Sequence, residues 1–309
     1  VAGKVMVKFA FLYPGQASQY VGMGKDLYDE FPQAKEIFDR ANTLLGFDLK
    51  SVCFEGPEEE LKQTRVTQPA IFVHSIIVTQ LLSKKNIVPD MAAGHSLGEY
   101  SALVAAQAIS FEDGLRVVKK RGDLMQYAGE KQPGTMAAII GLSGDEVIEI
   151  CKQASSVGIV QAANFNSPLQ IAISGSHKGV TRASELAKQQ GAKKVTPLVV
   201  SGAFHSPLME SAQQELKATL QEINIQTAKF PIYANVTAKP VKAAEQIRDL
   251  LFRQLTHPVR WVETIENMIS GGATDFFEVG PGNVLAGLGK RINRNYPVKT
   301  KGKVEEIVV

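Results

Sequence analysis

The sequence predicts an α/β chain in two parts, a large domain on a parallel sheet and a small domain inserted into it. Three observations predict it. Apolar, strand-like runs at residues 5–13, 91–94 and 275–279 are separated by stretches of helical spacing, as in a sheet covered by helices. Gly94-His95-Ser96-Leu97-Gly98 closes the second of these runs and opens a helix, the strand, sharp turn, helix arrangement of an α/β-hydrolase-like fold. Between Thr135 and Val200 the order becomes βαββαβ, a split βαβ or ferredoxin-like unit of about 65 residues. The predicted large domain is therefore discontinuous, 1–131 and 200–309, and 132–199 is the insertion. A cleft is expected between the two.

Composition narrows the class. A chain of 309 residues, 44% hydrophobic and 21% charged, can bury one large core or two unequal ones. No apolar run appears long enough to span a bilayer, and VAGKVMVKFAFLYPG lacks the long apolar core and cleavage site of a signal peptide. A cytosolic protein is expected. Cys53 and Cys151 are too few and too far apart for a disulfide framework or a metal site, which suits a reducing compartment. The net charge of +3 is too small to argue for nucleic acid, yet it would not repel an acidic partner.

Residues 5–13 read as a buried strand that stops at Pro14-Gly15. The loop Pro14-Gly15-Gln16-Ala17-Ser18-Gln19 then occupies the strand end where open α/β folds bind ligands, although a plain connector would look the same. Helices are expected at 33–45 and 68–82, joined through an acidic turn at 55–60, with His74 in the core. At the elbow, Gly94 and Gly98 permit a turn that lifts Ser96 clear of the sheet and aims a helix N-terminus at its Oγ. Ser96 is the candidate nucleophile. A structural turn serine is the alternative.

The next helix opens at Ser110, with Glu112 and Asp113 in its first turn. At 100° per residue, Arg116, Lys119, Lys120 and Asp123 share one arc, and Arg121 falls among Leu115, Val117, Val118, Leu124, Met125 and Ala128 on the other. A guanidinium on an apolar face needs an anion. Arg121 either pairs with an internal carboxylate or awaits that of a ligand.

In the insertion, strands are expected at 135–142, 158–164, 169–174 and 193–200. Helices are expected at 143–154, with Ser143 and Glu146 as a capping box, and at 178–190. Ser201-Gly202-Ala203-Phe204-His205 follows at the return to the large domain. His205 is the best-placed general base of the five histidines. His95 lies on the other side of the turn, His74 is core, His177 opens a helix, and His257 precedes Pro258. Helices at 209–223, 243–255 and 259–269, the strand 275–279 and a final helix after Gly280-Pro281-Gly282-Asn283 complete the chain.

Six ordered motifs now carry a resemblance: PGQASQ, GHSLGEYSAL, RGDLMQ, GAFHSPLM, RQLTHPVRW and EVGPGNVL. Together they resemble the malonyl-CoA:acyl carrier protein transacylase family over essentially the whole chain. The resemblance implies Ser96 as nucleophile, His205 as base, and the N–H groups of Leu97 and Gln16 as the oxyanion hole. It implies that the Gln254 main-chain carbonyl orients the imidazole without a third carboxylate, and that Arg121 grips the malonyl carboxylate bidentately. Phe204 would fill the room a methyl branch needs, and Asn166 would face the cleft. The reaction implied is double displacement through a malonyl-Ser96 ester, with malonyl-CoA as donor and acyl carrier protein as acceptor, and without a bound cofactor or metal. A monomer is expected, with no nucleic acid or membrane partner. Ala17 departs from the family, which usually has a second loop glycine there, and narrows the allowed backbone slightly. A serine hydrolase shares the elbow but would carry an HGGG-type oxyanion motif, absent here. A polyketide acyltransferase of the same chemistry stays open, as does a non-catalytic docking module, for which a lost Ser, His or Arg would be expected.

Overall fold

The computed structural model describes residues 7–308. Its strands are β1 (Phe9–Tyr13), β2 (Met91–Gly94), β3 (Gly134–Ile140), β4 (Val160–Ser167), β5 (Gln170–Ser176), β6 (Lys194–Pro197), β7 (Ile232–Tyr233), β8 (Pro240–Val241), β9 (Asp275–Val279) and β10 (Val298–Lys301). They make an α/β fold with two sheets. One has the order β10-β9-β1-β2-β7-β8, the other β4-β5-β3-β6.

In the first sheet every neighbouring pair from β10 to β7 is parallel, and only β7 with β8 is antiparallel. The expected parallel sheet thus carries an antiparallel edge hairpin, too short to show a pattern in sequence. β1, in the sheet interior, is an apolar run, FAFLY, because helices cover both of its faces. Parallel order puts the C-terminal ends of β1, β2, β7 and β9 on one edge, and the loops that begin at Pro14, His95, Ala234 and Gly280 gather there.

The helix Thr64–Lys84 meets the length and apolar composition of a membrane span, contrary to the expectation that no run would. It is a core helix: 83% of its most apolar window is buried. Alongside it runs Phe111–Lys131, capped by Ser110 Oγ, which accepts the Asp113 N–H at 3.0 Å. Its apolar arc, Arg121 included, is buried, while Arg116, Lys120 and Asp123 are exposed.

In the second sheet all pairs are antiparallel. The helices Gly144–Ala154 and His177–Gln189 pack on one face over Ile139, Val160, Ile171 and Ile173. The Ser143–Glu146 capping box is formed. β4 runs on to Ser167 through two irregularities in register, and its outer edge joins the large sheet's side of the molecule through Val259, whose N–H and carbonyl bond Ala163 and Phe165.

Several elements differ from expectation. The first strand begins at Phe9, and the part predicted for residues 5–6 lies outside the described residues. Short helices at Lys25–Glu30 and Leu49–Glu55 lie in stretches to which no element was assigned, and Glu58–Leu61 forms a helical turn within the stretch read as an acidic turn. The helix Val284–Ile292 is not the last element, because β10 and the helix Val304–Val308 follow. β10 is a half-exposed edge strand, VKTK, with little apolar signal to read.

Candidate active site

The elbow is a close backbone crossing. A Cβ on Gly94 would stand 1.8 Å from the Gly98 carbonyl carbon, and one on Gly98 would stand 2.0 Å from the Tyr13 carbonyl oxygen. Glycine at both positions is thus a steric requirement. Ser96 itself has φ 51°, a left-handed conformation that costs a non-glycine residue about 1–3 kcal/mol and persists only where the surroundings enforce it. They do so here by hydrogen bonds. His95 N–H donates to the Tyr13 carbonyl at 2.9 Å. Ser96 N–H donates to Asn235 Oδ1 at 2.7 Å, and Asn235 Nδ2 donates to the Gly94 carbonyl at 2.6 Å.

Ser96 Oγ lies 2.8 Å from His205 Nε2. His205 Nδ1 faces two carbonyl oxygens, that of Gln254 at 2.9 Å and that of His257 at 3.2 Å. Since both are acceptors, the network assigns the ring proton to Nδ1 and leaves Nε2 as a lone pair toward the serine hydroxyl. Burial, with help from the nearby Arg121 charge, lowers the imidazole pKa to about 3. It is neutral at pH 7 and able to accept a proton. His205 is held from behind as well: Gln161 Nε2 donates to the His205 carbonyl at 2.7 Å and to the Thr256 carbonyl at 3.1 Å.

Arg121 is 1% exposed. Nη1 donates to Gln68 Oε1 at 2.8 Å, and Nη2 donates at 2.9 Å to both Ser96 Oγ and Gln254 Oε1. The guanidinium lies over the Tyr100 ring at 5.5 Å, and Nε has no partner among the described residues. All three acceptors are uncharged. The buried Glu99 carboxylate is reached only through the Gln254 amide, so the internal ion pair that the sequence left open is not a direct one.

Of the predicted residues, the structure brings Ser96, His205, Arg121 and Gln254 into one hydrogen-bonded cluster. Leu97 begins the helix after the elbow, and Gln16 lies on the loop after β1, where Gly15 passes so close to the His95 carbonyl that a Cβ would stand 2.5 Å from it. Among the described residues neither the Leu97 nor the Gln16 N–H has an intramolecular acceptor. Phe204 is buried beside His205. Asn166 is not in the cluster. Its Oδ1 meets His95 Nε2 at 2.8 Å, and the His95 ring lies 5.4 Å from that of Trp261. Sequence reasoning missed Glu99, Asn235, Gln161 and Gln68. Glu99 stands inside a quoted motif, but nothing local marks it as buried, and Asn235 meets the elbow from 139 residues away.

Ala17 has φ 83°, so the family's glycine is replaced at a position that needs the left-handed region. The restriction is more than slight: alanine there costs roughly 1–2 kcal/mol, against about 0.5–1 kcal/mol of extra chain entropy for glycine. Ala17→Gly is expected to raise stability by about 0.5–1 kcal/mol in urea unfolding. A neutral or destabilising result would mean that the loop is not strained.

An α/β chain with a serine, a neutral imidazole and a buried guanidinium at the C-terminal edge of its parallel sheet has the parts of an acyl-transfer enzyme. Comparison with known proteins gives the same class: residues 10–308 match the acyl transferase domain family. The chain belongs to the malonyl-CoA:acyl carrier protein transacylase family. A malonyl CoA-acyl carrier protein transacylase of Bacillus subtilis (strain 168) is 48% identical over 290 residues, 94% of this chain and 92% of that protein. The structure of the malonyl CoA-acyl carrier protein transacylase from Coxiella burnetii is similar with a TM-score of 0.95 at 41% identity, over 98% of this chain and 96% of that one. A malonyl-transacylase solved in complex with a type II PKS acyl-carrier protein has a TM-score of 0.94 at 41% identity, covering 97% and 98%.

Proposed function

We propose that the chain transfers malonyl groups from malonyl-CoA to the phosphopantetheine thiol of acyl carrier protein, through an ester on Ser96. The observation that carries this reading is Ser96 Oγ held between His205 Nε2 and Arg121 Nη2 at 2.8 and 2.9 Å. Ser96 Oγ attacks the thioester carbonyl while Nε2 takes its proton, and the Gln254 carbonyl holds the resulting imidazolium through Nδ1–H. The tetrahedral oxyanion is received by the free N–H groups of Leu97 and Gln16. The C–S bond then breaks, the sulfur leaves with the proton from Nε2, and malonyl-Ser96 remains. The carrier thiol repeats these steps in reverse. Arg121 offers Nε, which has no partner among the described residues, together with Nη2 to the malonyl carboxylate. Phe204 bounds the acyl pocket, and Asn166 steers the cleft side of the elbow through His95.

The two sheets support a two-domain reading, an α/β-hydrolase-like part (1–131 and 200–309) and a ferredoxin-like part (132–199). The order β4-β5-β3-β6 is the one a βαββαβ unit adopts when its first and third strands lie side by side in the middle. Similarity to the PKS malonyl-transacylase favours a second acceptor, a polyketide carrier protein.

Intact mass after mixing with malonyl-CoA alone is expected to show one malonyl adduct, absent in Ser96→Ala. Addition of carrier protein should discharge it far faster than water does. An unmodified chain would support the docking module, and hydrolysis at the rate of transfer would support a thioesterase.

A further inference from the structure

Glu99 has no part in the mechanism above, yet it bonds directly to Gln254 and Asn235, which in turn hold Ser96, His205 and Arg121. It follows Gly98 on the helix Gly98–Ala105 and is 3% exposed. One carboxylate oxygen, Oε2, accepts the Gln254 Nε2–H at 2.8 Å and the Asn235 main-chain N–H at 3.1 Å. Asn235 in turn clamps the elbow at Ser96 N and Gly94 O. Gln254 gives Oε1 to Arg121, donates Nε2 to the Ser96 carbonyl at 3.0 Å, and presents its main-chain carbonyl to His205.

The two ends of a glutamine amide have nearly the same shape and opposite hydrogen-bonding character, so its orientation is set by what lies at each end. An ionised carboxylate only accepts. It fixes Nε2 toward Glu99 and therefore Oε1 toward the guanidinium. A protonated Glu99 carries a donor as well, and that constraint is relaxed. Charge acts in the same sense. Arg121 is a buried cation whose direct partners are neutral, and an uncompensated cation opposes protonation of the imidazole beside it. Glu99 is the anion that offsets it, one amide away. The charged and titratable groups facing Glu99 are Arg121 from the helix Phe111–Lys131 and Tyr100 beside it on its own helix. The helix Ala244–Gln254 and the segment after β7 present only the Gln254 amide and the Asn235 N–H.

We propose that Glu99 is a positioning residue for acyl transfer: its carboxylate orients the Gln254 amide and balances Arg121, and the Ser96–His205 pair works at full rate only while Glu99 is ionised. The inference rests on the acyl-transfer reading of that pair. Burial raises the Glu99 carboxyl to about 7, against the opposing pull of Arg121 and two hydrogen bonds, so its ionisation falls within the working pH range. His205, near 3, contributes no inflection there.

The test measures Ser96 labelling by a neutral fluorophosphonate, in which Ser96 Oγ bonds the phosphorus, the P–F bond breaks and fluoride leaves to solvent as His205 takes the serine proton, alongside malonyl and acetyl transfer, in the unsubstituted chain and in Glu99→Gln. In the unsubstituted chain the rate is expected to rise with pH, by up to about tenfold per unit below an inflection near 7, and then level off. Glu99→Gln keeps an acceptor oxygen and loses the charge. Its kcat at pH 8 should fall about ten- to a hundredfold for both acyl groups, as when the partner that orients a catalytic group is lost, with KM little changed and the rise with pH gone. Because the folded-state pKa is raised, the acid favours folding below pH 4.5 and this contribution is lost as pH climbs through 7. The variant should therefore melt no lower than the unsubstituted chain at pH 8. A flat profile from pH 5.5 to 8.5 in the unsubstituted chain, or an unchanged kcat in Glu99→Gln, overturns the proposal. Failure of the fluorophosphonate to label Ser96 at any pH overturns the acyl-transfer reading itself, and this inference with it.

Discussion

Replacement of His205 by alanine is expected to slow both half-reactions by about 10²- to 10⁴-fold, the usual contribution of a general base. Among the described residues Nε2 is the one acceptor at hydrogen-bond distance from Ser96 Oγ, since Arg121 Nη2, on the same oxygen, only donates. With the imidazole removed, no group in the cluster takes the serine proton or returns it to the leaving sulfur. Acylation by malonyl-CoA and discharge to carrier protein should fall in similar proportion, because the same nitrogen serves both directions. The backbone complicates alanine here. His205 has φ 55°, a region that asparagine enters more readily than alanine does. His205→Asn should therefore match the rate loss of His205→Ala while melting closer to the unsubstituted chain. Stopped-flow acylation and thermal melts of the two variants separate chemistry from strain. A loss under tenfold in both variants would remove His205 from the role of base.

How far the site can be read from the sequence depends on how local its causes are. Gly94, Ser96 and Gly98 are legible because one turn must satisfy steric demands within five residues, and the two close approaches are that demand in space. Burial of Arg121 is legible because a helical period assigns each residue to an arc, and tertiary packing kept those arcs. The strand ends at Tyr13 and Val279 are announced by Pro14-Gly15 and Gly280-Pro281.

Asn235 has no such announcement. It follows a two-residue strand, and its importance arises only because β7 lies beside β2 in the sheet. The same holds for Gln68 and Gln161, polar residues on a core helix and an edge strand, whose partners come from elements 53 and 44 residues away. Ala17 shows the reverse case. The departure from glycine is plain in the sequence, but its backbone cost appears only with the dihedral angle.

Arg121→Ala is expected to change which acyl group the chain accepts. Removing one partner of a buried, hydrogen-bonded charge pair commonly costs about 2–5 kcal/mol, very roughly 30- to several thousand-fold, and malonyl transfer should fall by that order. Acetyl-CoA has no carboxylate to strand. Two features of the site bear on its rate in opposite senses. Nη2 also bonds Ser96 Oγ, so the substitution removes one contact that positions the hydroxyl. The same guanidinium depresses the His205 imidazole, so its removal makes the base stronger. With a pocket that is also more apolar, acetyl loading should hold or rise, and the ratio of malonyl to acetyl kcat/KM should narrow or invert. Without its cation Glu99 takes up a proton more readily, so the two thioesters are compared at alkaline pH, where the carboxylate that orients the Gln254 amide stays charged. Kinetics with both thioesters, alongside a melt to verify folding, measure the ratio directly. Equal loss of both activities in a folded variant would make Arg121 a support for Ser96 alone, and selection of the carboxylate would then lie elsewhere in the cleft.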